Sequence, residues 1–223
     1  MYGLYAPHLN ESYFNDEQKQ SLERLRNRCA LSVEGASGMA GGHPRKSFVT
    51  GEDWLTGFFK KGAAAVVDMY ADNFVWEDIE FDLTITDREE LFKFFTVFDD
   101  AGPDSPYGVH TFELISYDGH QVPVSTATVR KEGVPADWQA DEYHRLADPI
   151  LLGSDFEYDE WGYMQWVWKA QHNSDFFGIP AAGKTTVTRG TSTQFYRHGK
   201  IVRCRTHWNF REFAMQLGIA PTL

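Results

Sequence analysis

The chain of 223 residues has only two cysteines, Cys29 and Cys204, too few for a disulfide framework, and the default expectation is a reducing cytoplasm. Basic residues are also scarce: 21 Lys and Arg stand against 32 Asp and Glu, a formal charge of −11. That balance excludes the basic patch that a nucleic acid or an anionic membrane surface requires of its partner. No apolar run approaches the length that spans a bilayer, and no basic region at the N-terminus leads into an apolar stretch. Neither a membrane span nor an export signal is therefore expected. The 8 histidines are scattered, with no His-Glu-x-x-His and no paired Cys sites, so no metal is expected. A dinucleotide fingerprint and a Gly-x-Ser-x-Gly elbow are missing too. What remains is acid/base chemistry without a cofactor.

Aromatic residues are abundant, at 15% of the chain with 7 Trp and 17 Phe, and such a surplus must line a core, a pocket or an interface. The length is enough for one domain with a substantial core. Residues 1–48 read as an N-terminal arm: Asp16 to Leu31 has weak helical amphipathicity, and the Gly-rich run Gly35 to Pro44 ends it. From Thr50 and Asp53 a capped helix carries Trp54, Phe58 and Phe59, and a second helix covers about Gly62 to Tyr70. Phe74 to Phe81 reads as a strand and Asp87 to Phe98 as a helix. Val109 to Tyr117 and Gln121 to Arg130 read as a hairpin across Asp118-Gly119. Residues 131–159 form an insertion too long for an ordinary hairpin loop, of the kind that covers a site or an interface. Strands at Met164 to Gln171, Thr185 to Tyr196 and Ile201 to Trp208 complete the chain. Helices followed by a curved antiparallel sheet argue for an α+β fold.

Gly178-x4-Gly183-Lys184-Thr185 matches a phosphate-binding loop, but the residues after Lys184 are β-branched and strand-forming. A phosphate loop needs a helix N-terminus there. Pro180 also removes an amide from the loop. This segment reads as a turn between two strands.

The same segment carries a resemblance. His172, Asp175, Phe176, Gly178, Ile179, Pro180, Gly183 and Lys184, then Arg197, Gly199, Lys200, Ile201 and Val202, resemble the C-terminal half of SnoaL-like polyketide cyclases, within the nuclear transport factor 2-like superfamily. Tyr70 to Asp78, Arg88 to Leu91 and Gln216 to Gly218 fit as well. The resemblance implies an α+β cone over residues 49–223 and a homodimer formed through the sheet's outer face. It implies a cofactor-independent enzyme acting on a hydrophobic, aromatic substrate. Cyclases, isomerases and dehydratases occur in this fold, as do lyases that release formaldehyde from lignin-derived diarylpropane diols, the most specific expectation here. The superfamily also contains non-catalytic carriers and adaptors.

Alternation along the strands nominates the site. Met164, Trp166, Trp168, Ala170 and His172 share one face, the pattern of an aromatic-lined cavity with one titratable group. Trp76 and Asp78 share a face while Glu77 takes the other, and which carboxylate meets the pocket is open. Arg203, Arg205 and His207 form a cationic row that could steady a developing anion or be the solvated or dimer-facing side of the sheet, the reading favoured for Arg203. The expected proton-transfer groups are His172 with Asp78 or Glu77, assisted by Arg205 or His207. Trp76, Trp166, Trp168, Phe59, Tyr107 and His110 are the expected substrate-lining residues, and the insertion is expected to close the mouth.

Overall fold

The computed structural model describes residues 15, 16, 18–20, 23, 53, 54, 61–98, 102–127, 134, 137–152 and 155–219. The chain divides into two compact units, Met1–Pro44 and Arg45–Leu223. In the first, Gln18 N–H donates to Asn15 Oδ1 at 2.9 Å and Asn15 N–H to Gln18 Oε1 at 3.0 Å. This reciprocal capping starts a helical turn where the sequence predicts one. The rest of the arm lies outside the described residues, as do most of the helix expected from Thr50 and its Phe59.

The second unit contains, in chain order, α1 (Ala63–Val67), β1 (Tyr70–Asp78), β2 (Leu83–Ile85), α2 (Arg88–Thr96), β3 (Gly108–Thr126), α3 (Ala140–Leu151), β4 (Glu157–His172), β5 (Thr185–Arg197), β6 (Lys200–Trp208) and α4 (Phe210–Gln216). This is an α+β fold on one six-stranded sheet, in the order β2-β1-β6-β5-β4-β3. The described strands pair antiparallel except β1 with β6, which run parallel. Among the described residues, no helix is long and apolar enough to cross a membrane.

Local chemistry fixes the helices that cover the inner face. Asp87 caps α2 by accepting from Glu89 and Glu90 N–H, at 2.9 Å each. Leu91, Phe94 and Phe95 then fall at helical spacing on the buried side. Asn209 caps α4 in the same way, accepting from Glu212 N–H at 3.0 Å. Phe94 of α2 meets Trp76 of β1 at 4.6 Å between ring centroids, and Phe213 of α4 stacks on Trp168 of β4 at 5.7 Å. Burial alternates along β5, where Thr186, Thr188, Ser192 and Gln194 face inward although they are polar.

Two sequence expectations need correction. The hairpin across Asp118-Gly119 does not form; β3 runs unbroken through both residues and pairs with β4, Gly119 standing opposite Gly162. These glycines make room for a ring. A Cβ at Gly162 would lie 2.3 Å from the Tyr117 hydroxyl, and one at Gly119 only 2.8 Å from Trp161 O. The insertion is not one long loop either: α3 lies inside it, and β4 begins at Glu157.

The expected strand-to-strand turn is present at the phosphate-loop match. Gly183 N–H donates to His172 O at 2.8 Å, and His172 N–H to Lys184 O at 2.9 Å, which closes the connection between β4 and β5. The Lys184 ammonium donates to Leu217 O just beyond α4, so it serves a helix end.

Candidate active site

A cavity of about 50 Å³ lies on the inner face of the sheet, lined by Trp54, Trp76, Asp78, Phe81, Phe94, Phe95, Phe98, Phe112, Trp166, Trp168, Phe176, Ser192, Thr206 and Trp208. Rings supply most of this wall, and its polar side chains are Asp78, Ser192 and Thr206. A water needs about 10–15 Å³ of such space and a benzene-binding cavity is about 150 Å³. As it stands, the interior therefore admits a small group or a few waters, and a ring enters only when a side chain moves.

The side chain at the edge of this cluster is Phe177. It stacks on Phe94 at 5.1 Å and 15°, and it also contacts Phe81, Phe98 and Phe176, all of which line the cavity. Phe177 is 44% exposed and sits at φ 48°, in the left-handed region that disfavours a Cβ.

Asp78 is the cavity's carboxylate, brought inward by alternation after Phe74 and Trp76. Trp208 Nε1–H donates to both its oxygens at 3.1 Å, while Glu80 and Phe81 N–H donate to Oδ1 at 3.0 and 3.1 Å. Burial raises its pKa from 3.8 to about 6, against the lowering effect of these hydrogen bonds. Oδ2 accepts only from Trp208 and is the oxygen left for a ligand. A carboxyl that changes state near pH 6, among rings, suits proton transfer.

Glu77 points to the opposite face. Its Oε1 meets Arg203 Nη2 and its Oε2 meets Arg205 Nε, both at 2.8 Å. Arg203 is 4% exposed, and it also donates to Leu152 O at 2.6 Å and Ile150 O at 3.0 Å. Arg203, expected on the solvated or dimer-facing side of the sheet, lies on the outer face but is not solvated: it is buried between Glu77 and the carbonyls that close α3. The same bonds correct the expectations for Glu77, Arg205 and the insertion. The two side chains form an ion pair away from the cavity, and the described end of the insertion is fastened to the outer face. His207 is exposed on that face, which it shares by alternation with Arg203 and Arg205, and it does not line the cavity.

His172 and His110 are both 1% exposed, yet neither lines the cavity. The His172 ring is set into the aromatic wall, 5.5 Å from Phe176 and 5.7 Å from Phe213. Its Nε2 shares a hydrogen bond with Thr186 Oγ1 at 2.9 Å, and its Nδ1 has no partner. Burial, then the neighbouring His110, lowers its pKa to about 4, so it is neutral at ordinary pH and a poor proton acceptor. His110 is held by Trp168 Nε1–H on Nδ1 at 3.1 Å and by Tyr107 O beside Nε2 at 3.2 Å. Tyr107 is 41% exposed at the start of β3, outside the lining. Of the residues nominated from sequence, Asp78, Trp76, Trp166 and Trp168 converge on the cavity.

Sequence reasoning missed Ser192, Thr206 and Trp208 as site residues. Thr206 and Trp208 alternate with Arg205 and His207 on β6, and the sequence left open which of the two rows faces inward; Ser192 shares the parity of Thr186 and Thr188 on β5. Gly190 completes this part of the wall: a Cβ there would meet Trp166 Cη2 at 2.3 Å, so the indole fits only over a glycine. Among the described residues, no three His, Cys, Asp or Glu side chains are grouped as a metal ion needs.

The sequence matches no family model and no curated protein. Solved structures do match. One described as a hydroxylase from Streptomyces galilaeus is 13% identical, covering 77% of this chain and 80% of that one at a TM-score of 0.47. A protein described as a polyketide cyclase from Xanthomonas campestris is 16% identical, covering 74% and 92% at a TM-score of 0.44. An epoxide hydrolase from M. tuberculosis is 7% identical, covering 74% and 84% at a TM-score of 0.43. The matches include SnoaL-like cyclases and ketosteroid isomerase-like proteins, the fold that the sequence resembles. At these identities the likeness concerns the fold alone.

Proposed function

We propose that this chain is a cofactor-independent acid/base enzyme for a small aromatic substrate, with Asp78 as the proton-transfer group. One observation carries the reading: a buried carboxyl titrating near pH 6 lines a cavity walled by indole and phenyl rings. Trp76, Trp166 and Trp168 supply the faces against which a substrate ring stacks, each contact contributing about 1 kcal/mol beyond burial. Asp78 acts as base when ionised and returns the proton as acid. Isomerisation and aldol-type cyclisation each run on such a single carboxyl, which takes a proton from carbon and gives it back.

Release of formaldehyde from a diarylpropane diol asks for more. An acid must help the benzylic hydroxyl leave while a base takes the proton of the hydroxymethyl group, so that its carbon departs as formaldehyde. With His172, Glu77, Arg205 and His207 away from the cavity, Asp78 has to serve both ends. Single-carboxyl chemistry is therefore preferred to the lyase. The non-catalytic reading has one observation of its own, namely that rings fill most of the interior.

A screen of aromatic ketones, alcohols and diols, read by ultraviolet absorbance and by released formaldehyde, tests all three. Turnover that is lost in Asp78→Asn supports the proposal, and turnover unchanged in that variant sinks it. Saturable binding without turnover across the screen favours the binding module.

A further inference from the structure

On the opposite side of the sheet from the cavity, a groove of about 480 Å³ opens on the outer face. Small-molecule sites typically occupy roughly 300–1,000 Å³. Gln165, Thr191 and His207 stand in one row across it, Thr191 being the register partner of Gln165 on β4 and of His207 on β6. Neighbouring strands lie about 4.8 Å apart, so the row spans roughly 10 Å. Val167 and Arg189 are partners in the next outward row, which places Arg189 diagonal to His207. Ile115, at the register shift between Leu114 and Ser116, borders the groove from β3 with its side chain 54% exposed.

The groove carries one sign of charge. None of its lining residues is Asp or Glu, in a chain with 32 of them. Arg189 Nε stands 3.9 Å from Glu212 Oε2, an ion pair too long for a hydrogen bond, whereas Arg203 and Arg205 each meet Glu77 at 2.8 Å. The Arg189 fork is therefore open to a better-placed acceptor. Ser116 Oγ–H donates to Gln165 Oε1 at 2.8 Å, which occupies the amide oxygen and leaves its NH₂ end as a donor. The Thr191 hydroxyl and a ring N–H of His207 add two more donors. Donors and a guanidinium thus gather over β5 and β6, while Val167 and Ile115 form an apolar floor over β4 and β3.

We propose that this outer-face groove binds a small aromatic carboxylate, its carboxylate on Arg189 and His207 and its ring on Val167 and Ile115. Diagonal positions on neighbouring strands are about 7–8 Å apart, within reach of two long side chains that converge on one group. A guanidinium matches the two oxygens of a carboxylate in a bidentate fork. One guanidinium, already shared with Glu212, suits a single negative charge and not two. The site does not depend on the chemistry of Asp78, which lies on the other face. Trp166 and Trp208 border the groove as well as the cavity, so their fluorescence reports an occupant on either side of the sheet.

Benzoate, benzamide and acetate test the groove by titration of the full chain, read by tryptophan fluorescence and calorimetry. Benzoate is expected to saturate one site per chain. It should bind about tenfold more tightly than benzamide, which lacks the charge, and than acetate, which lacks the ring. Arg189→Gln should weaken benzoate about ten- to a hundredfold, the loss of a charged hydrogen bond. Ile115→Glu, which sets an anion on the apolar floor, should weaken it too, whereas Asp78→Asn should leave it unchanged. Affinity that is unchanged in Arg189→Gln overturns the proposal. Affinity that instead rises in Asp78→Asn places the anion in the cavity and overturns the groove. Absence of benzoate binding to the wild type overturns it as well; sedimentation that then shows a dimer dissociated by Arg189→Gln assigns the groove to a second copy of the chain. None of these outcomes alters the turnover test of Asp78→Asn, so the two readings fail separately.

Discussion

Glu77 and Asp78 are neighbours on β1, and their carboxylates end on opposite faces of the sheet: Glu77 clamped by two arginines at 2.8 Å, Asp78 among rings with an indole N–H at 3.1 Å. Alternation along one strand separates a structural anion from a chemical one. Glu77 is held in ion pairs with Arg203 and Arg205 on the face away from the cavity. Among the described residues Asp78 has no cation beside it, and burial raises its pKa to about 6.

Asp78→Asn is expected to abolish turnover and to stabilise the fold. The folded carboxyl titrates near 6 and an unfolded one near 3.8, so the native state holds the proton more tightly. The cost of ionising Asp78 is absent below pH 3.8, grows as pH rises, and is complete above about 6, where it reaches about 3 kcal/mol. Asparagine can keep the three donors to Oδ1 without that cost. Urea denaturation at pH 5 and pH 7.5 should show the variant's advantage growing with pH, while wild-type activity rises through pH 6 as the base ionises. Equal stability of the two proteins at pH 7.5 would contradict the assignment.

Glu77→Ala should act on stability and leave the pH dependence of turnover in place. The substitution leaves Arg203 buried without its anion, at a cost of about 3–5 kcal/mol. It also loosens the hold on Ile150 and Leu152, so faster hydrogen exchange at the end of α3 is the local signature. A shifted activity profile in Glu77→Gln would place this carboxylate in the chemistry after all.

Phe177 is expected to control admission of a ring to the cavity. Phe177→Ala removes a 44% exposed side chain that stacks on Phe94, so little stability is lost while bulkier ligands gain entry. Stopped-flow quenching of tryptophan fluorescence by acetophenone should show faster association in Phe177→Ala. Because the backbone sits at φ 48°, Phe177→Gly should be more stable than Phe177→Ala by about 1 kcal/mol. An unchanged association rate would show that the ring enters elsewhere.

Period-two alternation made strand faces legible: it grouped Trp166 with Trp168 and Trp76 with Asp78, but left open whether Asp78 or Glu77 meets the pocket. The sequence made the β4–β5 connection legible too, through residues that build the loop: Asp175 Oδ1 accepts from Ala181 N–H at 3.3 Å, and the His172 backbone closes the turn. The resemblance at His172 thus reports a structural position as much as a chemical one. Depth was not legible. Parity turns His172 inward, but no pattern in one strand says that Phe176 and Phe213 pack around it. Asp118-Gly119 misled for a related reason: a glycine that accommodates the Tyr117 ring looks the same in sequence as one that makes a turn. Besides Glu77, the partners of Arg203 come from an insertion far away in the chain, so its burial had no local signal.

His172 provides the opposite pH signature to Asp78. Its folded pKa of about 4 lies below the ordinary 6.5, because burial first and His110 second disfavour the imidazolium. The unfolded chain therefore binds the proton more readily, and the stability gained from burying a neutral ring is present above pH 6.5 and lost as pH falls toward 4. The full swing is about 3 kcal/mol. His172→Gln should remove the swing while its side-chain amide still bonds Thr186 Oγ1. The difference in unfolding free energy between wild type and His172→Gln should rise with pH from 4 to 6.5 and be flat above. In the wild type, Asp78 pushes the other way over much of the same range, so the contributions of the two groups partly cancel. Asp78→Asn exposes the histidine alone, and its stability should climb steeply between pH 4 and 6.5. A flat profile in that variant would mean that the His172 imidazole titrates normally, and therefore that it is reached by water.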